Sequence, residues 1–140
     1  AKAEQNGYEV IVHMPMESTN ETRGEKEYML TTSMTSNEIE SKVEQVISEF
    51  PEAVGMNNHQ GSKATESLQL MKDVARSLKK RDKFFLDSFT NPESRGYITM
   101  RRYGVLTQLR QVFIDNLDDS NEIKYKLDIV VKHELLIKIL

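Results

Sequence analysis

The feature that most constrains this chain is an alternation repeated four times: a short apolar or β-branched run, a polar exit, then a stretch with helical spacing. Tyr8–His13, Ala53–Met56, Lys83–Leu86 and Arg110–Asn116 have the character of strands, and short apolar runs between helical segments suit a sheet buried on both faces. Thr35-Ser36-Asn37-Glu38 is a capping box that predicts a helix with Ile39, Val43, Val46, Ile47 and Phe50 on one face, closed by Pro51. Thr65 is placed to start a second helix with the stripe Leu68, Met71, Val74, Ala75 and Leu78, and Lys79-Lys80-Arg81 complements its C-terminal dipole. Asn91-Pro92-Glu93 opens a third helix reaching about Tyr103; Gly104 ends it, and Val105 and Leu106 form a short strand. Asp119-Ser120-Asn121-Glu122 caps a last helix with Ile123, Leu127, Val130 and Val131 on one face. The alternation implies an α/β fold: a parallel sheet with right-handed crossovers.

The connections are less regular. Pro15 predicts that Met14–Glu17 leaves the sheet as a loop, because proline cannot donate to a ladder. Residues 18–26 read as a long surface loop, and Tyr28–Thr32 as a short extended piece. Residues 135–140 are apolar on nearly all sides, a pattern that wants cover from neighbours the chain does not itself supply.

Composition narrows the function. A length of 140 residues is enough for one domain, but a complete α/β barrel takes about 250. The net charge of −3 gives no general attraction to nucleic acid, and the basic triplet at residues 79–81 reads as a solvated helix end. With no cysteine, disulfides and thiolate metal sites are excluded. No stretch is long and apolar enough for a transmembrane helix. The opening AKAEQNG lacks the apolar core of a signal peptide and reads as a helix end, so the chain is expected to begin inside a domain.

All four strands end in polar residues: His13 with Glu17, Asn57 through Ser62, Asp87 with Ser88, and Asp115 with Asn116. Parallel strands bring these ends to one rim, where α/β folds place ligand sites. Imidazoles and carboxylates gathered there suit a zinc-type ion, with a carboxylate as general base. The same residues equally suit hydrogen-bonded turns, since Asp and Asn at strand ends commonly bond the backbone two residues on. Met14, Met16 and Met56 read as packing, and His133 is given no role. There is no GxGxxG, P-loop or GxSxG pattern, so Ser62 and Ser88 are poor nucleophile candidates.

GYEVIVHMPME (Gly7–Glu17), AVGMNNHQGS (Ala53–Ser62), FFLDS (Phe84–Ser88) and RQVFIDN (Arg110–Asn116) occur in this order, and together they resemble the divergent polysaccharide deacetylase family, relatives of metal-dependent carbohydrate esterases. The resemblance runs through nearly the whole chain. It implies part of a distorted (β/α) barrel with its site at the strands' carboxyl ends, a periplasmic or cell-envelope setting, and metal-dependent removal of acetyl groups from an envelope glycan. In that reading His13 and His59 hold a divalent metal, zinc by expectation. Asp87 and Glu17 are the catalytic candidates, and Asn57, Asn58, Ser62 and Asp115 contact the carbohydrate. Glu17 stands where the better-studied relatives have a second histidine. Gln60, Phe89 and Gln111 also depart from the family's usual residues.

A strand ending in Ile-Asp-Asp-x-Gly and a strand carrying Gly-His, both usual in the family, are absent, so residues 1–140 read as a single domain lacking its first and last strands. Three expectations follow: the chain alone is inactive, it binds metal weakly, and it self-associates through exposed strand edges. The rival reading is a non-catalytic envelope protein that keeps the fold and binds a glycan or a protein partner.

Overall fold

A computed structural model of the chain describes residues 5–20, 26–112 and 119–137. It divides into two compact units, residues 1–109 and 110–140. The first contains four strands, β1 (Val10–Met16), β2 (Ala53–Gln60), β3 (Phe84–Asp87) and β4 (Thr107–Leu109), in one sheet of order β1-β2-β3-β4 with every pairing parallel. The connections carry helices α1 (Ser36–Glu49), α2 (Leu68–Lys80) and α3 (Gly96–Arg102). The α/β class and the parallel sheet of alternating units are therefore as the sequence implies. The barrel remains a proposal about strands beyond these four.

Two helix starts follow local chemistry closely. Thr35 accepts the Glu38 N–H while the Glu38 carboxylate accepts the Thr35 N–H at 2.7 Å, the reciprocal pairing of a capping box. The buried face of α1 is Ile39, Val43, Val46 and Ile47, but Phe50, at its C-cap, is exposed. Helix α2 begins later than Thr65: residues 64–66 form one 3₁₀ turn, and Ser67 caps the helix by accepting the Leu70 N–H. The apolar stripe is displaced accordingly, with Leu68 exposed and Leu70 buried.

Strand β1 continues through Pro15 to Met16, contrary to the loop expected there. The reason is directional. In a parallel strand the N–H and C=O of one residue point to the same side. The Pro15 carbonyl accepts the Leu30 N–H at 2.9 Å and the Glu17 N–H reaches the Leu30 carbonyl at 2.9 Å. The missing proline N–H thus faces away from β2, and an edge strand tolerates it there. The predicted extended piece at Tyr28–Thr32 is this bridge, Leu30 beside Met16. The short strand expected at Val105 and Leu106 lies two residues later, at Thr107–Leu109.

The register determines what each side chain faces. Met14 is level with Asn58, Val12 with Met56, and Met56 with Phe85, so these residues share one face of the sheet. Met14, Met56 and Phe85 are fully buried there in one core with Val43, Val74 and Met100 from the helices. His13 is level with Asn57, and His59 lies two residues on, so these three share the opposite face.

The second unit carries α4 (Ser120–Ile137), whose start is capped by the Asp119 carboxylate accepting the Asn121 and Glu122 N–H groups, both at 2.9 Å. The predicted strand at Arg110–Asn116 falls largely on residues 113–118, which lie outside the described residues, as do the side chains of the apolar tail. Among the described residues no helix is long and apolar enough to cross a membrane.

Candidate functional site

The two histidines meet. His59 Nδ1 is 2.9 Å from His13 Nε2, with the rings edge to face and their centroids 4.7 Å apart. The other nitrogen of His13, Nδ1, is 2.9 Å from Asn57 Oδ1. His13 is exposed, and Asn57 and His59 are half-buried, so the trio is open to a ligand. Burial and, secondarily, the neighbouring His13 hold the His59 imidazole below its ordinary pKa. The shift favours the neutral imidazole.

The chain turns away sharply just beyond the pair. Gln60 (φ 56°) and Gly61 (φ 83°) both adopt the left-handed conformation. A Cβ at Gly61 would also lie 2.9 Å from Met16 Cβ, so glycine is required there on two counts. The resulting loop is tied to the one after β1. Ser62 Oγ accepts the Thr19 N–H at 3.0 Å, and Lys63 forms an ion pair with Glu17 at 2.6 Å. The other Glu17 oxygen accepts the Thr32 N–H at 2.8 Å and the Thr32 hydroxyl at 2.7 Å. Partial burial would raise the Glu17 pKa, but the Lys63 and Thr32 bonds outweigh it and hold the carboxyl below its ordinary value. Glu17 is at the rim as expected, but as an ionised clasp between three segments. A carboxylate so engaged is a poor general base.

Two expected site residues face the other way. Asn58 is fully buried: its Nδ2 donates to the Gln60 carbonyl at 2.7 Å and its Oδ1 accepts the Ser88 N–H at 2.8 Å. Asp87 is also fully buried. Its Oδ1 accepts the Phe89 N–H at 2.9 Å, and its Oδ2 accepts the Ser94 hydroxyl at 2.7 Å and the Tyr97 N–H at 3.0 Å at the start of α3. Gly96 leaves the room for this, since a Cβ there would lie 2.5 Å from Asp87 Oδ2. Both side chains are buried in hydrogen bonds and brace the rim from beneath. Asp115 lies outside the described residues.

Lys63 carries no signal in the sequence, and Ser88 only that of a polar strand end and a poor nucleophile candidate. Ser88 donates to the Asn58 carbonyl at 2.7 Å and accepts from Asn57 Nδ2 at 3.2 Å, which links the buried brace to the exposed trio. A groove of about 470 Å³ follows β1 from Val10 to Pro15, lined also by Tyr28, Val46 and Phe50, with His13 and His59 among its lining residues. That size suits a small ligand.

The donor set can be tested against zinc. A catalytic zinc takes about three protein ligands, and two nitrogens each about 2.0–2.1 Å from a tetrahedral ion lie about 3.3 Å apart. The imidazole nitrogens stand 2.9 Å apart, a hydrogen-bond separation, and among the described residues no group of three His, Asp or Glu side chains is placed to hold an ion. By themselves these residues do not fit a complete metal centre.

A parallel α/β sheet carrying an open imidazole pair at its carboxyl rim is the class that fold and geometry define. The profile of the divergent polysaccharide deacetylase family matches residues 1–135, and the chain belongs to that family. It is 34% identical over 127 residues to the uncharacterized protein YibQ of Escherichia coli strain K12, covering 91% of this chain and 40% of that protein. An uncharacterized protein of Haemophilus influenzae is 34% identical over 121 residues, covering 86% of this chain and 42% of that one. The chain thus spans about two fifths of the curated relatives it matches. The crystal structure of the uncharacterized protein ATU2773 from Agrobacterium tumefaciens C58 superposes with a TM-score of 0.83 at 18% identity, over 89% of this chain and 51% of that one, and so shares the fold.

Proposed function

We propose that this chain carries part of the site of a hydrolase that removes acetyl groups from a cell-envelope glycan, with the His13–His59 pair meeting the substrate. The observation that supports this most is the pair itself: two imidazoles in contact on the open face of the rim, in a chain of the divergent polysaccharide deacetylase family. In the hydrolysis a water oxygen bonds to the acetyl carbon, the carbonyl electrons move to oxygen, and His59 Nε2 takes a proton from the water. Collapse then breaks the bond to the glycan nitrogen or oxygen, which takes that proton from the imidazolium, and acetic acid leaves. Asn57 and His13 orient the base. Glu17, Asn58 and Asp87 hold the rim in shape.

Metal dependence belongs to the same proposal only with ligands from outside the described residues and with the two imidazoles about 0.4 Å further apart, given the usual zinc–nitrogen distances. A periplasmic or envelope setting is likewise proposed from the family alone.

The test is acetate release from N-acetylated chitin and peptidoglycan oligomers by the full-length protein, with and without a chelator. Release that falls at least about 100-fold in His59→Ala is the expected result, in line with the usual effect of removing an acid–base group. The second reading, a non-catalytic glycan or protein binder, is favoured by the largely apolar groove along β1. Saturable oligomer binding without acetate release would select it.

A further inference from the structure

We infer that the rim's hydrogen bonds run in one direction, from His59 to the Asn58 carbonyl, leaving His59 Nε2 as the lone pair that meets a ligand and making His13 a positioning residue. The direction is set at the buried end. The Asn58 carbonyl can only accept, so the Ser88 hydroxyl, 2.7 Å away, donates to it. With its proton committed, Ser88 Oγ accepts from its neighbour at 3.2 Å, which must then be the Asn57 amide nitrogen. That fixes the Asn57 side chain with its oxygen toward His13 Nδ1, at 2.9 Å. An amide oxygen has no proton to give, so His13 Nδ1 carries one. In the neutral form, which has a single N–H, His13 Nε2 then accepts, and His59 Nδ1 at 2.9 Å donates to it. The second nitrogen of His59 is left with its lone pair, and no described residue bonds to it.

The polarity has a chemical consequence. The ligand group at His59 must be a hydrogen-bond donor: a water, a sugar hydroxyl or the N–H of an acetamido group. A carboxylate or phosphate oxygen would meet a lone pair there. This choice of ligand rests on the hydrolase reading, but the polarity does not, so an acetate-release assay and a tautomer measurement can fail independently.

The measurement is the long-range proton–nitrogen spectrum of the 15N-labelled protein at neutral pH, which shows which ring nitrogen of each histidine is protonated. His13 and His59 are both expected as Nδ1–H tautomers, the less favoured form of a free histidine side chain. Ser88→Ala removes the step that fixes the Asn57 amide, and it should turn both signals into tautomer mixtures. An Nε2–H tautomer at His59 in the unsubstituted protein overturns the inference, and so does an unchanged spectrum in folded Ser88→Ala. If Ser88→Ala does not fold, the unsubstituted spectrum decides alone.

Discussion

His59 and Asp87 both close parallel strands, yet one lies on the open face of the sheet and the other is sealed beneath it. Substituting them should therefore have unequal effects on stability. His59→Ala removes a half-buried side chain with one hydrogen bond to an exposed neighbour and should change stability by less than about 1 kcal/mol. Asp87→Ala removes a fully buried carboxylate together with the three hydrogen bonds it accepts from part-buried donors and should cost about 3 kcal/mol. Urea unfolding of the two variants checks both values. Glu17 gives a pH signature. Its folded-state pKa lies below the ordinary 4.5, so its contribution to stability is fully present above pH 4.5 and is lost as pH falls through the depressed value. Glu17→Gln should flatten the acid limb of a stability–pH curve below 4.5 and leave its slope near pH 7 unchanged.

Among the elements, α1 and α2 are joined at the surface by charge. Arg76 of α2 pairs with Glu40 of α1 at 3.2 Å and with Asp73 of its own helix, and Lys80 reaches Glu40 at 3.5 Å. The Asp73 side chain is fully buried, while Arg76 is partly exposed. Among the described residues, Arg76→Ala leaves that carboxylate with only the Gln69 amide, at 3.1 and 3.3 Å, and should cost about 3 kcal/mol. Arg76→Lys should recover only part of this, because an ammonium cannot serve two carboxylates through a planar fork. Thermal unfolding of both variants is the check. The strands show why element types were readable when their ends were not. Strand character in β1 came from Val10, Ile11 and Val12, which are β-branched wherever the strand stops. Its end depended on which side of the ladder Pro15 presents, and that is set by Leu30, fifteen residues away.

For the whole molecule, the alternation of strand and helix was enough to give the parallel sheet, because amphipathic helices between buried strands leave few other arrangements. The candidate site was readable only in part. His13 and His59 could be paired because adjacent parallel strands bring their ends together. Period-two alternation separates Asn58 and Asp87 from the histidines: Asn58 shares a parity with Met56 and Asp87 with Phe85, and both core residues are buried. Polar identity at a strand end suggested function, whereas parity assigned the side chain to the core. The contacts of Ser88, Lys63 and Thr32 come from segments distant in sequence, which no local pattern displays.

With two imidazoles and no third ligand among the described residues, the 140-residue chain should bind zinc weakly and release no acetate from acetylated oligomers. Calorimetric titration with zinc, beside an acetate assay, checks this.

The central claim is that ligand chemistry sits at the His13–His59 pair. The most direct measurement is a titration of the 15N-labelled protein with N-acetylated glycan oligomers, following the imidazole nitrogens. A saturable shift of His59 Nε2 larger than that of any other side-chain nitrogen is the predicted result. Saturable shifts elsewhere, with both imidazoles unmoved, would contradict it.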